Sequence, residues 1–327
     1  MHNRQNALNE WLEQVLTPTQ FTLHPLAGDA SFRRYFRLHH SNVTQVVMDA
    51  PPDRETIQPF IRVADLLDKA GVRTPRIHAL EKTQGFAILD DFGDALLLNH
   101  LSTETANKLY DSAIETLIKM QQCPTSGSTQ LPVFDKPFML QELNIFKEWF
   151  LQAYLKVELT AHEETLINNS FDWLSDEIMQ QPQVFIHRDY HSRNIMLLEN
   201  GTEQILGIID FQDAMHGPFT YDLVSLLKDC YIQWPQEQII NWLSIFYKQV
   251  QIANHYSFTA FTRAFDLCGL QRHLKVLGVF TRLHLRDNKS NYLQDLPLTL
   301  HYVMTCLESY DELKPFYQFM ENRIRLP

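Results

Sequence analysis

Apolar residues recur on one helical face at the start of the chain. Ala7, Leu8, Trp11, Leu12, Val15 and Leu16 predict a first helix, which Pro18 closes. Three β-like runs follow at 21–26, 32–39 and 45–50. The first two are joined by a loop of small residues, Ala27-Gly28-Asp29-Ala30-Ser31. A helical period over about 55–70 ends at Gly71, a residue suited to a left-handed cap. Strands at 76–81 and 86–90 flank the turn Lys82-Thr83-Gln84-Gly85. After Gly93 the period lengthens, with helices expected over 103–122, 137–154 and 162–180. A β island interrupts them at 184–187, 195–198 and 205–209, its last two runs joined around Glu199-Asn200-Gly201. From about Tyr221 to Tyr317 the pattern is helical again. The expected class is α+β, with a small five-stranded antiparallel region and one inserted helix at 1–92, and a larger, mainly helical region at 93–327.

Composition narrows the function. In 327 residues, 45% are hydrophobic, enough for a sizeable core, and the net charge of −11 speaks against nucleic acid as a partner. Cys123, Cys230, Cys268 and Cys306 are scattered without metal-ligand spacing, so buried thiols in a reducing compartment are expected. The N-terminus is polar, with no secretory signal, and no apolar run approaches the roughly 20 residues that span a bilayer. The expectation is a cytoplasmic protein with no membrane partner.

The chemistry is concentrated in the β island. It holds His187-Arg188-Asp189-Tyr190-His191-Ser192-Arg193-Asn194, and then Ile208-Ile209-Asp210-Phe211. Phosphoryl transfer asks little covalent help of a protein. It asks for neutralised charge on the transferring group and an acceptor hydroxyl in line with it. An aspartate at a strand end, Asp189, suits acceptance of that hydroxyl's proton. Asn194, five residues on, offers a neutral oxygen, and Asp210, closing the next hairpin, offers a carboxylate. Oxygen ligands of this kind fit Mg²⁺. The string alone is a weak signal, and its place between an apolar strand and a hairpin ending in Ile-Asp-Phe makes it specific. His187, on the apolar strand, is read as a packed residue that bonds the loop backbone. Asp222, at the start of an apolar helix, is read as a brace for that loop.

At this point the chain resembles the aminoglycoside phosphotransferase and choline kinase-like families, relatives of protein kinases. The resemblance implies a bilobal protein-kinase-like fold that uses ATP and Mg²⁺. It makes 187–194 the catalytic loop, Asp210 the metal-binding aspartate, and 88–93 the hinge, where the Asp90 carbonyl and the Phe92 amide meet adenine. The small-residue loop, through Gly28 and Ser31, falls on the nucleotide side. A narrower resemblance, to bacterial kinases that phosphorylate the anomeric hydroxyl of N-acetylmuramate and N-acetylglucosamine in peptidoglycan recycling, is carried by several segments. They are Asp29-Ala30-Ser31-Phe32-Arg33-Arg34-Tyr35-Phe36-Arg37, Met48-Asp49-Ala50-Pro51-Pro52, Asp210-Phe211-Gln212-Asp213-Ala214 and Gln271-Arg272-His273-Leu274-Lys275-Val276.

One departure bears on mechanism. The third strand of the wider superfamily carries a phosphate-binding lysine, whereas here it ends Val46-Val47-Met48-Asp49. Arg33, Arg34 and Arg37 are the candidate replacements. Arg34 is favoured, because Phe36 and Leu38 on its face suggest a cleft-facing side. For the acceptor, Arg193, Asp213, Arg272 and Lys275 are the candidates. Six cations against two carboxylates crowd 261–290, and a continuous helix would align Arg272, Lys275, Arg282 and Arg286. Such a face suits an anionic sugar better than a cationic aminoglycoside. Two other readings stay open. A kinase of another alcohol, such as choline, would need an aromatic cage, for which Trp149, Tyr154, Trp234 and Tyr247 are available. A pseudokinase regulating a partner would explain the absent lysine, but the intact Asp189, Asn194 and Asp210 speak against it.

Overall fold

The structure, a computed structural model, describes residues 2–26, 32–125, 131–200, 203–250 and 256–326. Expectations for Gly28, Ser31 and the Gly201 turn lie outside the described residues. The chain divides into two compact units, one of residues 1–96 and 195–213, the other of 97–194 and 214–327.

The first unit opens with α1 (His2–Leu16), followed by β1 (Phe21–Pro25), β2 (Arg34–His40) and β3 (Val43–Asp49). Then come α2 (Gln58–Lys69), β4 (Ile77–Glu81) and β5 (Phe86–Asp90). The strands form one antiparallel sheet in the order β1-β2-β3-β5-β4. Between β2 and β3 only Ser41 and Asn42 intervene, both at positive φ, the two-residue turn that matches strand twist. β3 therefore begins two residues earlier than its apolar run, and β2 begins at Arg34. Leu8, Trp11 and Leu12 of α1 bury against Phe36, Leu38, Val47, Phe86 and Ile88, which makes one face of the sheet the core of this unit. At the rim of that core lies Asp49, fully buried, which accepts from Arg4 Nε at 2.8 Å and Arg34 Nε at 2.9 Å.

The second unit begins with α3 (Ala106–Gln121) and α4 (Lys136–Ile145), and a π-helical stretch Phe146–Tyr154 runs on from α4. α5 (Ala161–Met179), started by a Thr160–Glu163 capping box, leads into β6 (Gln183–Ile186). The chain then rejoins the first unit as the hairpin β7 (Ile195–Asn200) and β8 (Glu203–Ile208). Backbone bonds fasten it there, Leu197 N to Ala95 O and Ile208 N to Arg73 O, both 2.8 Å. The second unit resumes with β9 (Met215–Pro218), which pairs antiparallel with β6, and α6 (Tyr221–Leu227). α7 (Gln236–Gln249), α8 (Phe258–Asp287), α9 (Leu296–Ser309) and α10 (Lys314–Arg323) complete it.

The 30-residue α8 is the axis of this unit, buried along most of its length. It crosses the α4–π junction so closely that a Cβ on Gly278 would sit 2.5 Å from the Ile145 carbonyl and 2.6 Å from Phe146 N. Backbone cannot yield to such a contact as a flexible side chain would. Gly278→Ala is therefore expected to lower stability by about 1–3 kcal/mol through overpacking, despite the better helix propensity of alanine. Thermal denaturation checks this. An unchanged or raised Tm would show that the two helices separate freely.

Candidate active site

The loop after β6 is held from three sides. Asp222, in the first turn of α6 and fully buried, accepts from the amides of His187 (2.6 Å) and Arg188 (2.9 Å). Asp229, also buried, accepts from the amide and hydroxyl of Ser192 at 3.0 and 2.6 Å. The Tyr190 hydroxyl donates to the Ala113 carbonyl of α3 at 2.8 Å. These bonds stabilise a backbone that Arg188 would not choose alone, with φ +78 in the left-handed region. His187 is buried, and its Nδ1 accepts from the Asp189 amide at 3.3 Å, so its ring lies under the loop.

Within the loop, Asn194 Nδ2 donates to the Asp189 carbonyl at 3.0 Å. This fixes the amide so that its oxygen, the end a hard cation takes, faces the other way. The Asp189 carboxyl is pushed up by burial but pulled further down by Lys275, His191, Arg188 and Arg272. It is held well below the usual carboxylate range. Two of those cations share one anchor. Buried Glu142 of α4 accepts from Arg188 Nη2 at 2.7 Å and Gln271 Nε2 at 3.0 Å, with Lys275 Nζ at 3.5 Å. Burial raises the Glu142 carboxyl, but Lys275 and Arg188 outweigh it and keep it ionised.

In the first unit Asp210 is exposed, at φ +61, its Oδ1 accepting from Gln212 Nε2 at 2.9 Å. The next residue, Phe211, is buried and stacks on Phe60 of α2 with centroids 4.8 Å apart. Near the end of β5 a cavity of about 330 Å³ is lined by residues that include Thr44, Gln45, Arg73, His78, Asp90 and Phe92. The Asp90 carboxylate is taken up by Arg73 (2.7 Å), His78 (2.6 Å) and the Arg76 amide (3.2 Å), and the Phe92 ring rests against the Gly207 backbone. Among the described residues no group of three or more His, Cys, Asp or Glu could hold a metal. Mg²⁺ commonly takes one or two protein oxygens and completes its shell with phosphate and water, so the oxygen of Asn194 in the second unit and the carboxylate of Asp210 in the first are each of a ligand type it accepts.

Residues 22–258 match the sequence profile of the phosphotransferase enzyme family. The chain belongs to that family. It is 40% identical over 324 residues to the N-acetylmuramate/N-acetylglucosamine kinase of Pseudomonas aeruginosa, covering 95% of this chain and 94% of that one. The choline kinase LicA of Streptococcus pneumoniae shares its fold with TM-score 0.66 at 12% identity, covering 93% of this chain and 99% of the other. The aminoglycoside phosphotransferase APH(2'')-Ib, solved with ADP, gives TM-score 0.61 at 16% identity, covering 90% and 97%. The protein-kinase-like architecture and the five-stranded antiparallel sheet agree with these neighbours.

The remaining candidates of this phosphotransferase fall in different surroundings. Arg193 lies over the Tyr231 ring at 3.6 Å, and Asp213 is exposed, accepting from Gln212 at 3.3 Å. Arg272 is 3% exposed, with Nη1 3.7 Å from Cys230 Sγ, so the basic stripe of α8 is a solvated face only at its Arg286 end. Arg34 lies on the α1 side of the sheet. Its apolar neighbours Phe36 and Leu38 belong to the core beneath α1, and its guanidinium closes on Asp49. The proposed choline cage does not assemble either. Tyr154 rings with Phe150 and His284, Trp234 with Tyr110 and Trp242, and Tyr247 with Phe258 and Phe261.

Sequence reasoning missed Glu142 and Asp229. The signal for Glu142 was present, since Met139, Leu143 and Phe146 flank it at helical spacing on a buried stripe. A carboxylate on such a stripe implies a buried partner.

Proposed function

We propose that this enzyme transfers the γ-phosphoryl group of ATP to the anomeric hydroxyl of N-acetylmuramate or N-acetylglucosamine, in the bacterial cytoplasm, as a step of peptidoglycan recycling. The observation that carries the reading is the 40% identity, over nearly the whole of both chains, to a kinase named for these two sugars. ATP as donor is supported by the family and by the ADP-bound neighbour. The reducing compartment agrees with the four buried cysteines, which form no disulfide, and no described helix is long and apolar enough to cross a membrane.

In this reading Asp189 orients the acceptor hydroxyl and receives its proton late in a loose transition state. An anomeric hydroxyl belongs to a hemiacetal and is more acidic than an ordinary alcohol, so even a strongly ionised carboxylate can serve. Lys275, Arg188 and Arg272 keep Asp189 in that ionised form. Asn194 and Asp210 would hold Mg²⁺, which when bound neutralises charge on the phosphates. Lys275 and Arg272, together with Arg193 and Asp213, are assigned to the acceptor side, where a cation suits the lactyl carboxylate of N-acetylmuramate.

The test is the position of the new phosphate. With either amino sugar, ATP consumption is expected to remove reducing sugar in equal amount, and the 1-O-methyl glycosides should not react. In phosphorus NMR the product signal should couple to the anomeric proton. Coupling to the C6 protons would make this a 6-kinase and overturn the acceptor assignment.

A further inference from the structure

A nucleotide triphosphate brings several negative charges, and the protein must meet those the metal does not. β3 supplies no cation anywhere between Val43 and Asp49. The arginines of the first unit differ in what they already serve. Arg4 and Arg34 close on Asp49, Arg37 is held by Asp91 and Asp94 at 2.7–3.2 Å, and Arg73 by Asp90 at 2.7 Å. Arg54 is exposed. Arg76 is exposed, and Arg62, two residues from Phe60, lies on another face of α2 from the Phe60–Phe211 stack, half-buried with its Nε shielded from solvent.

Arg33 has another setting. Its side chain is 8% exposed, and Nε lies 2.9 Å from Glu55 Oε2 in the segment before α2. The Tyr35 hydroxyl lies close enough to feel the charges of Arg33, Asp210 and Glu55. Burial first, and then those two carboxylates against the pull of Arg33, hold Tyr35 neutral far above its usual range. Arg33 and Glu55 are thus in contact, and Tyr35 lies within electrostatic reach of both and of Asp210 in the same unit. Alternation along β2 sets Tyr35 opposite the α1-facing residues Arg34, Phe36 and Leu38, and Arg33 immediately precedes the strand.

We infer that Arg33, oriented by the Glu55 carboxylate, is the residue that binds the phosphate chain of the nucleotide, an inference resting on the ATP-dependent phosphotransferase reading above. The ion pair is what makes the assignment chemical rather than only positional. Glu55 and Asp210 are both anionic and would repel a phosphate chain, a repulsion that a neighbouring guanidinium offsets. A planar guanidinium can keep one edge on Glu55 and turn another to a phosphate oxygen. Glu55 is therefore a positioning residue and Arg33 the binding one.

The experiment compares ATP with adenosine, which carries the same base and no phosphate. Affinities for both are measured for the wild type, Arg33→Met, Arg33→Lys and Arg34→Met. Arg33→Met is expected to weaken ATP tenfold or more and leave adenosine within about twofold. Arg33→Lys should retain part of the ATP affinity. Arg34→Met should lower Tm and leave the ATP-to-adenosine ratio as in the wild type. Unchanged ATP affinity in Arg33→Met, or equal losses of ATP and adenosine, overturns the inference. If Arg33→Met does not fold, Arg33→Lys decides by the same comparison, a several-fold loss confined to ATP being the expected result. A wild type that binds no ATP would instead remove the kinase reading itself, so the two failures are distinguishable.

Discussion

Asp189→Asn is expected to lower turnover with an amino-sugar acceptor by about a hundredfold or more while ATP affinity stays near that of the wild type. The substitution keeps shape and removes the proton acceptor. It leaves the metal-side asparagine in place, because Asn194 is fixed by the Asp189 backbone carbonyl and not by its carboxylate. It also removes a negative charge that Lys275, Arg188 and Arg272 face, so a lowered Tm should accompany the lost rate. Steady-state kinetics at saturating ATP checks the first effect and thermal denaturation the second. A variant that keeps more than about a tenth of wild-type turnover would take the base role away from Asp189.

The second large effect is expected at a residue that touches no substrate in this reading. Glu142→Gln should destabilise the protein by about 3–5 kcal/mol, because it leaves two buried cations without their carboxylate. Arg188 and Lys275 side chains are only 17% and 14% exposed, so water cannot take over the role. The amide can still receive Gln271, so the loss reports on charge and not on shape. A fall in Tm on the order of 5–10 °C follows. A change below about 1 kcal/mol would show that the two cations find another partner.

The strand and helix order was legible because its two periods, 2 and 3.6, are written in local apolar spacing. The candidate loop at 187–194 stood out because its polar residues fall in eight consecutive positions. Arg34 shows where local pattern stops. Alternation along β2 separates Tyr35 from Arg34, Phe36 and Leu38, but which face lies beneath α1 depends on packing against Leu8, Trp11 and Leu12. The same limit hid the role of the α8 cations. Helical spacing aligns Arg272 with Lys275, and only the distant Glu142 makes Lys275 half of a buried ion pair. β9 escaped because a four-residue strand containing glycine and proline has no period of its own and exists through pairing with β6. The expected helix over 137–154 broke into an α and a π segment where the α8 backbone presses on residues 145 and 146.

The β7–β8 hairpin bears on how the chain is made. The first unit is interrupted by some hundred residues of the second before its last segment, 195–213, is attached. On a ribosome, residues 1–96 emerge with the backbone groups of Arg73 and Ala95 still lacking Ile208 and Leu197. That unit finishes only after residues 187–194 have been synthesised, and closing it over so long an intervening stretch carries a loop entropy local strands avoid. A nascent chain stalled before residue 195 would therefore hold an unfinished first unit. Neither unit is a contiguous piece of sequence, so a single cut between residues 97 and 194 severs the second unit and leaves each fragment with part of both.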